Sequence, residues 1–144
     1  MHQLQRFLKA QNESIPCATY QQALAEVRNG HKRGHWIWYI FPQLRGLGAS
    51  SRSYFYGIGS MEEANAYMRH EILGARLIEI SEALLALPNN NPYLIFGSPD
   101  TTKVQSCMTL FSKTENAHPV FHKVLEKYYG GKEDEQTLLL LTKG

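Results

Sequence analysis

The sequence predicts an all-α fold, a compact single-domain helical bundle of about seven or eight helices around one long central helix. Apolar residues recur at the three- and four-residue spacing of a helix through most of the chain. Capping residues precede several of these stretches, and glycine or proline follows them. The 144 residues suffice for one buried core, so we predict a single domain over residues 1–144.

Two helices are predicted before the first glycine. Apolar residues at helical spacing place the first from Gln3 to about Gln11. The second begins at Thr19, which forms a capping-box pattern with Gln22, and ends at Gly30. Both helices are expected to turn an apolar face towards the core.

The stretch Gly34–Gly48 contains both tryptophans and is the most aromatic part of the chain. Its composition suits a strand, and its apolar residues follow neither the strand period nor the helix period. We interpret it as a short buried helix, because a lone strand would have no partner and Pro42 would end a helix. One more helical turn is expected at Ser53–Tyr56.

The central helix is predicted over Glu71–Leu87, and a shorter helix precedes it. The shorter helix opens with a capping pattern of Ser60 and Glu63. Pro88 closes the longer one. One stripe of the longer helix is formed by Leu73, Leu77, Ile80, Leu84 and Leu87.

Three more helical segments follow. Asn91 and Ser98, each followed by proline, are expected to cap a short turn and then a helix that reaches Phe111. The next helix is predicted over Pro119–Tyr129, before a pair of glycines. A last short helix is expected after Asp134.

Composition excludes several classes of protein. The net charge of +2 is too small for a nucleic-acid footprint, so no nucleic-acid partner is expected. The densest basic run, residues 28–33, is interpreted as a solvated loop, with a phosphate contact as the alternative. No run of eighteen apolar residues is present, so no membrane partner is expected.

The cysteines indicate a reducing compartment. Cys17 and Cys107 are too few for a disulfide framework, and no Cys/His spacing suits zinc. We therefore predict two unpaired thiols, no metal, no cofactor and a cytoplasmic location. A monomer is favoured.

The aromatic stretch supplies the first candidate site residues. His35 could act as a general acid or base, and the alternative is a histidine bonded to backbone in a core or loop. Gln43 could contribute an amide. If the stretch is helical, Trp36 and Trp38 point to different faces, so at most one of them should line a pocket.

The helix after Ser98 carries a polar ridge of Asp100, Lys103 and Ser106, with Thr109 or Ser112 as the next member. Asp100 could act in catalysis, or could simply complement the helix dipole. The ridge is a solvated face unless the aromatic stretch packs beside it and closes a groove. Arg52, as a phosphate clamp, and Tyr56, as a stacking ring or hydroxyl donor, are further candidates.

Three blocks of sequence resemble a known family: Gly34–Gly48, His70–Leu77 and Ile95–Phe111. The family is the domain of unknown function numbered 1810, sometimes mislabelled calpastatin. The resemblance implies a compact all-α single domain and no established activity. The chain departs from the family pattern at Glu71, where proline is usual, and at Cys107, where serine is usual.

A fainter likeness is to the NADAR family, which acts on ADP-ribose conjugates. It lies in the helix order and in the succession of Arg-Leu, Leu-Leu and Phe-Gly-x-x-Asp. This likeness implies an ADP-ribose-like ligand.

Two functional hypotheses follow. In the first, the chain is a ligand-binding domain or small enzyme that holds a nucleotide-like or ADP-ribose-like compound between the aromatic stretch and the polar ridge. A tryptophan would stack on the base, and Lys103 or Arg52 would bind phosphate. In the second, the chain is a non-catalytic interaction module whose aromatic residues are core and whose ridge meets a protein.

Overall fold

The computed structural model of the protein describes residues 3–13 and 18–143, and these residues form nine helices. In chain order they are α1 (Gln5–Glu13), α2 (Tyr20–Arg28), α3 (Ile37–Ile40), α4 (Ser51–Tyr56), α5 (Met61–Arg69), α6 (Glu71–Ala86), α7 (Pro92–Phe111), α8 (Pro119–Tyr129) and α9 (Glu135–Lys143). Over these ranges the one β-contact is a parallel bridge between Leu44 and Ile58. The all-α prediction is confirmed.

Local sequence signals set several helix ends. At the start of α2, the Thr19 hydroxyl accepts a hydrogen bond from the Gln22 backbone, and the Gln22 side chain accepts one from the Thr19 backbone. The Asn91 side chain accepts from the Tyr93 N–H at the start of α7. α8 ends at Gly130. These caps stand where the sequence predicts them.

The ends of α6 are held by side chains that the sequence analysis did not assign. His70 Nδ1 accepts hydrogen bonds from the backbone N–H groups of Ile72 and Leu73. At the other end, Lys127 donates to carbonyl groups of the last turn, including that of Leu84 at 3.2 Å. Burial lowers the pKa of Lys127. A cation at this end also complements the helix dipole.

Four of the five residues predicted for the apolar stripe of α6 lie in the core, whereas Leu87 is partly buried and follows the end of the helix. Leu73, Leu77, Ile80 and Leu84 are each at most 1% exposed. α6 packs against α2, α5 and α8 and turns its other face to solvent. It shares the centre with α7, which contacts α3, α5, α8 and α9.

α7 is divided by a break at Gly97. There φ is +77° and ψ is 173°, in a region that glycine enters readily and other residues avoid. The sequence places the second start at Ser98, whereas the backbone turns one residue earlier. The Thr101 hydroxyl donates to the Gly97 carbonyl at 2.7 Å. The break reorients the second half of α7, which carries the polar ridge.

An enclosed ion pair joins α1 to α5. Arg6 Nη2 lies 2.9 Å from Glu63 Oε1, and the two side chains are 8% and 10% exposed. The same guanidinium donates to the carbonyl groups of Phe55 and Gly57, and Glu63 accepts from the Gly59 N–H. Together these bonds fix the chain between α4 and α5.

The described residues include one of the two cysteines and all nine helices. Cys107 is a free and fully buried thiol, and burial raises its pKa. Cys17 lies outside the described residues. In residues 3–13 and 18–143, every helix is too short or too polar to cross a bilayer.

We predict that Leu77→Ala lowers the free energy of unfolding by about 2–5 kcal/mol, because it leaves a cavity at a site that is 1% exposed. Ile72→Ala, on the same helix at a site that is 43% exposed, is the control and should cost less than about 1 kcal/mol. Chemical denaturation measures both. Equal losses would contradict the position given to α6.

Candidate functional site

A cavity of about 380 Å³ lies between the aromatic stretch and the second half of α7. Three of its walls come from α3 with the chain just after it, from residues 47–53 and from α7. The start of α9 provides the fourth. The lining residues are Trp38, Gln43, Leu47, Gly48, Ala49, Ser50, Ser53, Pro99, Thr102, Lys103, Ser106, Asp134 and Gln136.

The two tryptophans have different surroundings. Trp36 is fully buried, and its Nε1 donates to Glu26 Oε1 at 2.7 Å. Trp38 is half-buried and lines the cavity. Its Nε1 is enclosed and has no hydrogen-bond partner in the described part of the chain. An enclosed N–H group without a partner costs about 1–3 kcal/mol.

Arg52 contacts Trp38 from outside the cavity lining. Its guanidinium carbon lies 5.0 Å from the centroid of the indole ring, which is a cation–π distance. Arg52 itself is exposed. In this position it restrains the orientation of the indole.

Gln43 and Ser106 form a polar pair on the cavity wall. The Ser106 hydroxyl lies 2.7 Å from Gln43 Oε1 and can donate to it. The Gln43 backbone is fixed in turn, because its carbonyl accepts the Ile58 N–H at 2.9 Å. The pair therefore joins the end of the aromatic stretch to α7.

Asp100 lies between two ammonium groups. Its Oδ2 is 2.7 Å from Lys32 Nζ, and its Oδ1 is 3.4 Å from Lys103 Nζ. Lys103 lines the cavity, whereas Asp100 and Lys32 do not. The side chain of Lys32 is only 8% exposed. The interpretation of residues 28–33 as a solvated loop is therefore wrong for Lys32, because an ion pair compensates its burial.

Glu26 holds the loop that precedes the aromatic stretch. Its Oε1 accepts hydrogen bonds from the N–H groups of Arg33 and Gly34, at 2.7 and 3.0 Å, and from Trp36 Nε1. Burial alone would raise the pKa of Glu26. These three bonds and the nearby Lys32 outweigh burial, so the pKa lies below its usual value.

Comparison with known proteins identifies the family. The family model described as "Protein of unknown function (DUF1810)" matches residues 1–141. The chain belongs to this family. The crystal structure of the conserved hypothetical protein Rv1873 from Mycobacterium tuberculosis, at 1.38 Å, has a TM-score of 0.90 and 45% sequence identity over 96% of each chain. No curated protein matches the chain.

Besides Trp36, Arg52 and Asp100, three more predicted site residues of this DUF1810 protein lie outside the cavity lining. His35 is exposed and is not among the lining residues. Tyr56 is buried with its ring against those of Phe7, Tyr39 and Phe55. Burial raises its pKa. Thr109 is fully buried.

The polar ridge of α7 is not a solvated face along its whole length. Ser106 is 2% exposed and Thr109 is 0% exposed. Thr109 Oγ1 donates to the Gln105 carbonyl and accepts the Asp134 N–H at 2.9 Å. Thr109 therefore anchors the chain that enters α9, and through it one wall of the cavity.

Sequence reasoning missed the walls formed by residues 47–50 and by α9. Gly48 packs so closely that an added Cβ would lie 2.4 Å from Ser53 Oγ. Asp134 caps α9, because its Oδ2 accepts from the Thr137 N–H and hydroxyl. The Asp-x-x-Thr spacing indicates a helix start. That spacing does not predict that Asp134 lines the same cavity as Trp38.

No cluster of three or more His, Cys, Asp or Glu side chains suited to a metal ion occurs in residues 3–13 and 18–143. The polar groups of the lining are the Lys103 ammonium, the Gln43 amide and serine hydroxyls, with the carboxylate of Asp134 on the α9 side. Such a lining suits an organic ligand that bears oxygen atoms.

We predict that Glu26→Gln destabilises the protein at neutral pH by about 1–3 kcal/mol, because neutral hydrogen bonds replace charge-assisted ones. A carboxyl whose folded pKa is lowered contributes stability above its unfolded pKa, and this contribution is lost as pH falls through the lower, folded pKa. The difference between wild type and variant should therefore shrink below about pH 4. Urea unfolding over a pH series measures it.

The control is Glu82→Gln, which changes an exposed carboxyl on α6. Its stability should follow that of the wild type at every pH. A Glu26→Gln variant that also follows the wild type would contradict the role given to this carboxylate.

Proposed function

We propose that the chain binds a small nucleotide-like or ADP-ribose-like compound in the cavity, as a ligand-binding domain or a small enzyme. The supporting observation is the Trp38 indole, which lines the cavity with its Nε1 enclosed and without a partner in the described residues. A wholly structural indole would be expected to donate this hydrogen bond, as that of Trp36 does.

The lining suits the parts of such a compound. The indole of Trp38 offers an aromatic surface to a base. Lys103 and the Gln43 amide can donate to phosphate oxygens, and Asp134 can accept from a ribose hydroxyl. The volume of about 380 Å³ falls within the usual range for small-molecule sites.

The two predicted catalytic residues fit this site unequally. Asp100 is engaged by Lys32 and Lys103, so we assign it to compensating the charge of these two lysines and not to proton transfer. His35 lies outside the lining and does not contact the interior of the cavity. Any reaction would depend on residues of the lining itself.

The interaction-module hypothesis loses its proposed surface, since Ser106 and Thr109 are buried. The hypothesis would need a different exposed surface for a protein partner, and α4 provides one. Tyr54 and Phe55 are 65% and 54% exposed and border a second groove with Arg6 and Arg45. A protein partner on that face would leave the Trp38 cavity unexplained.

Thermal-shift measurements test the proposal with adenosine monophosphate (AMP), ADP-ribose and ribose 5-phosphate as probes. A ligand at a hundredfold excess over its Kd should stabilise the folded state by about 2.7 kcal/mol. Trp38→Leu should abolish the shift. Tyr93→Leu, which removes an aromatic ring that is 59% exposed and outside the lining, is the matched control and should retain it.

Failure of all three probes to raise the melting temperature of the wild type would contradict the proposal. A shift of equal size in Trp38→Leu would place the ligand elsewhere.

A further inference from the structure

Two ammonium groups share the single carboxylate of Asp100. Lys32, Asp100 and Lys103 are 8%, 16% and 25% exposed, so solvent screens this cluster only partly. Lys32 faces the Asp100 carboxylate and also lies near Glu26, whereas Lys103 faces Asp100 alone, so Lys103 is the less compensated of the two ammonium groups.

The contact distances also leave Lys103 less compensated than Lys32. Lys32 makes the shorter contact with Asp100, at 2.7 Å, and also donates to the Gly34 carbonyl. Lys103 has only the 3.4 Å contact with Asp100 among the described residues. An ammonium group has three donors, so Lys103 has donors to spare, and it lies on the cavity wall.

We propose that Lys103 binds the anionic group of the ligand, a phosphate, and that Lys32 sets the charge of this subsite without touching the ligand. This inference rests on the proposed function of the cavity. Lys32 is a positioning residue in this account. By engaging Asp100, it keeps that carboxylate from neutralising Lys103.

The α9 wall gives the ligand an orientation. Asp134 lines the cavity there and would repel an anion, so the phosphate belongs at the Lys103 wall. The carboxylate of Asp134 is suited to hydroxyl donors instead. The ligand class is therefore a compound with a phosphate at one end and sugar hydroxyls at the other, and not a neutral nucleoside.

Removing a positive charge and removing the negative charge of this cluster should change phosphate affinity in opposite directions. Lys103→Met removes the phosphate donor. Lys32→Met releases Asp100 to pair with Lys103 and should weaken phosphate binding although Lys32 lies outside the lining. Asp100→Asn leaves Lys103 uncompensated and should keep or increase phosphate affinity. The double variant Lys32→Met/Asp100→Asn should recover the affinity that Lys32→Met loses.

Isothermal titration with AMP and adenosine measures these effects. The wild type should bind AMP at least about tenfold more tightly than adenosine, and Lys103→Met should bind the two alike. Lys32→Met should lose about tenfold in AMP affinity with adenosine affinity unchanged. Lys123→Met, an exposed lysine on α8, is the control and should match the wild type.

Each failure has a separate meaning. If the wild type binds adenosine and AMP equally, the phosphate subsite is wrong while the cavity remains a ligand site. If the wild type does not bind AMP but ADP-ribose raises its melting temperature, the phosphate subsite fails while the cavity remains a ligand site, and if none of the three thermal-shift probes binds, the proposed function fails with it. Loss of AMP binding in Asp100→Asn, in a protein whose melting temperature shows that it is folded, would overturn the role of Lys32. That outcome decides the matter even if Lys32→Met does not fold.

Discussion

The arrangement of the site depends on one carboxylate, that of Glu26. Its Oε1 accepts three N–H groups from the loop that follows α2, two from backbone and one from the Trp36 indole. Without it these donors would be left unpaired in a partly enclosed loop. The bonds return the chain to α2 and fix Trp36 in the core. The chain from Arg33 to Trp36, which leads into α3, takes its course from this attachment.

Two consequences follow for the cavity. Since Trp36 is anchored inwards, the short helix α3 turns Trp38 to the other side, against α7 and residues 47–53. The same loop carries Lys32, whose backbone N–H donates to the Ile95 carbonyl and whose ammonium group reaches Asp100. The break at Gly97 then turns the second half of α7 so that Lys103 and Ser106 line the cavity.

Most of the fold could be predicted because its signals are local. A capping residue lies within three positions of the N–H group it binds, and an apolar stripe repeats within one turn, as at Thr19 and along α6. The hypothesis that the aromatic stretch lies beside α7 had a weaker basis: one segment is rich in aromatic residues, the other carries a polar ridge, and both belong to one small domain. Lys32 and Asp134 could not be placed in this way, since their partners, Asp100 and Thr109, are far along the chain and no spacing rule joins them.

The central claim is that the space beside Trp38 receives a phosphorylated ligand, and a crystal structure of the chain with AMP tests it most directly. The account predicts electron density in the cavity, with a phosphate oxygen within about 3 Å of Lys103 Nζ and the base against the indole ring of Trp38. Density for AMP at another surface, or a phosphate beside Asp134 and away from Lys103, would contradict it.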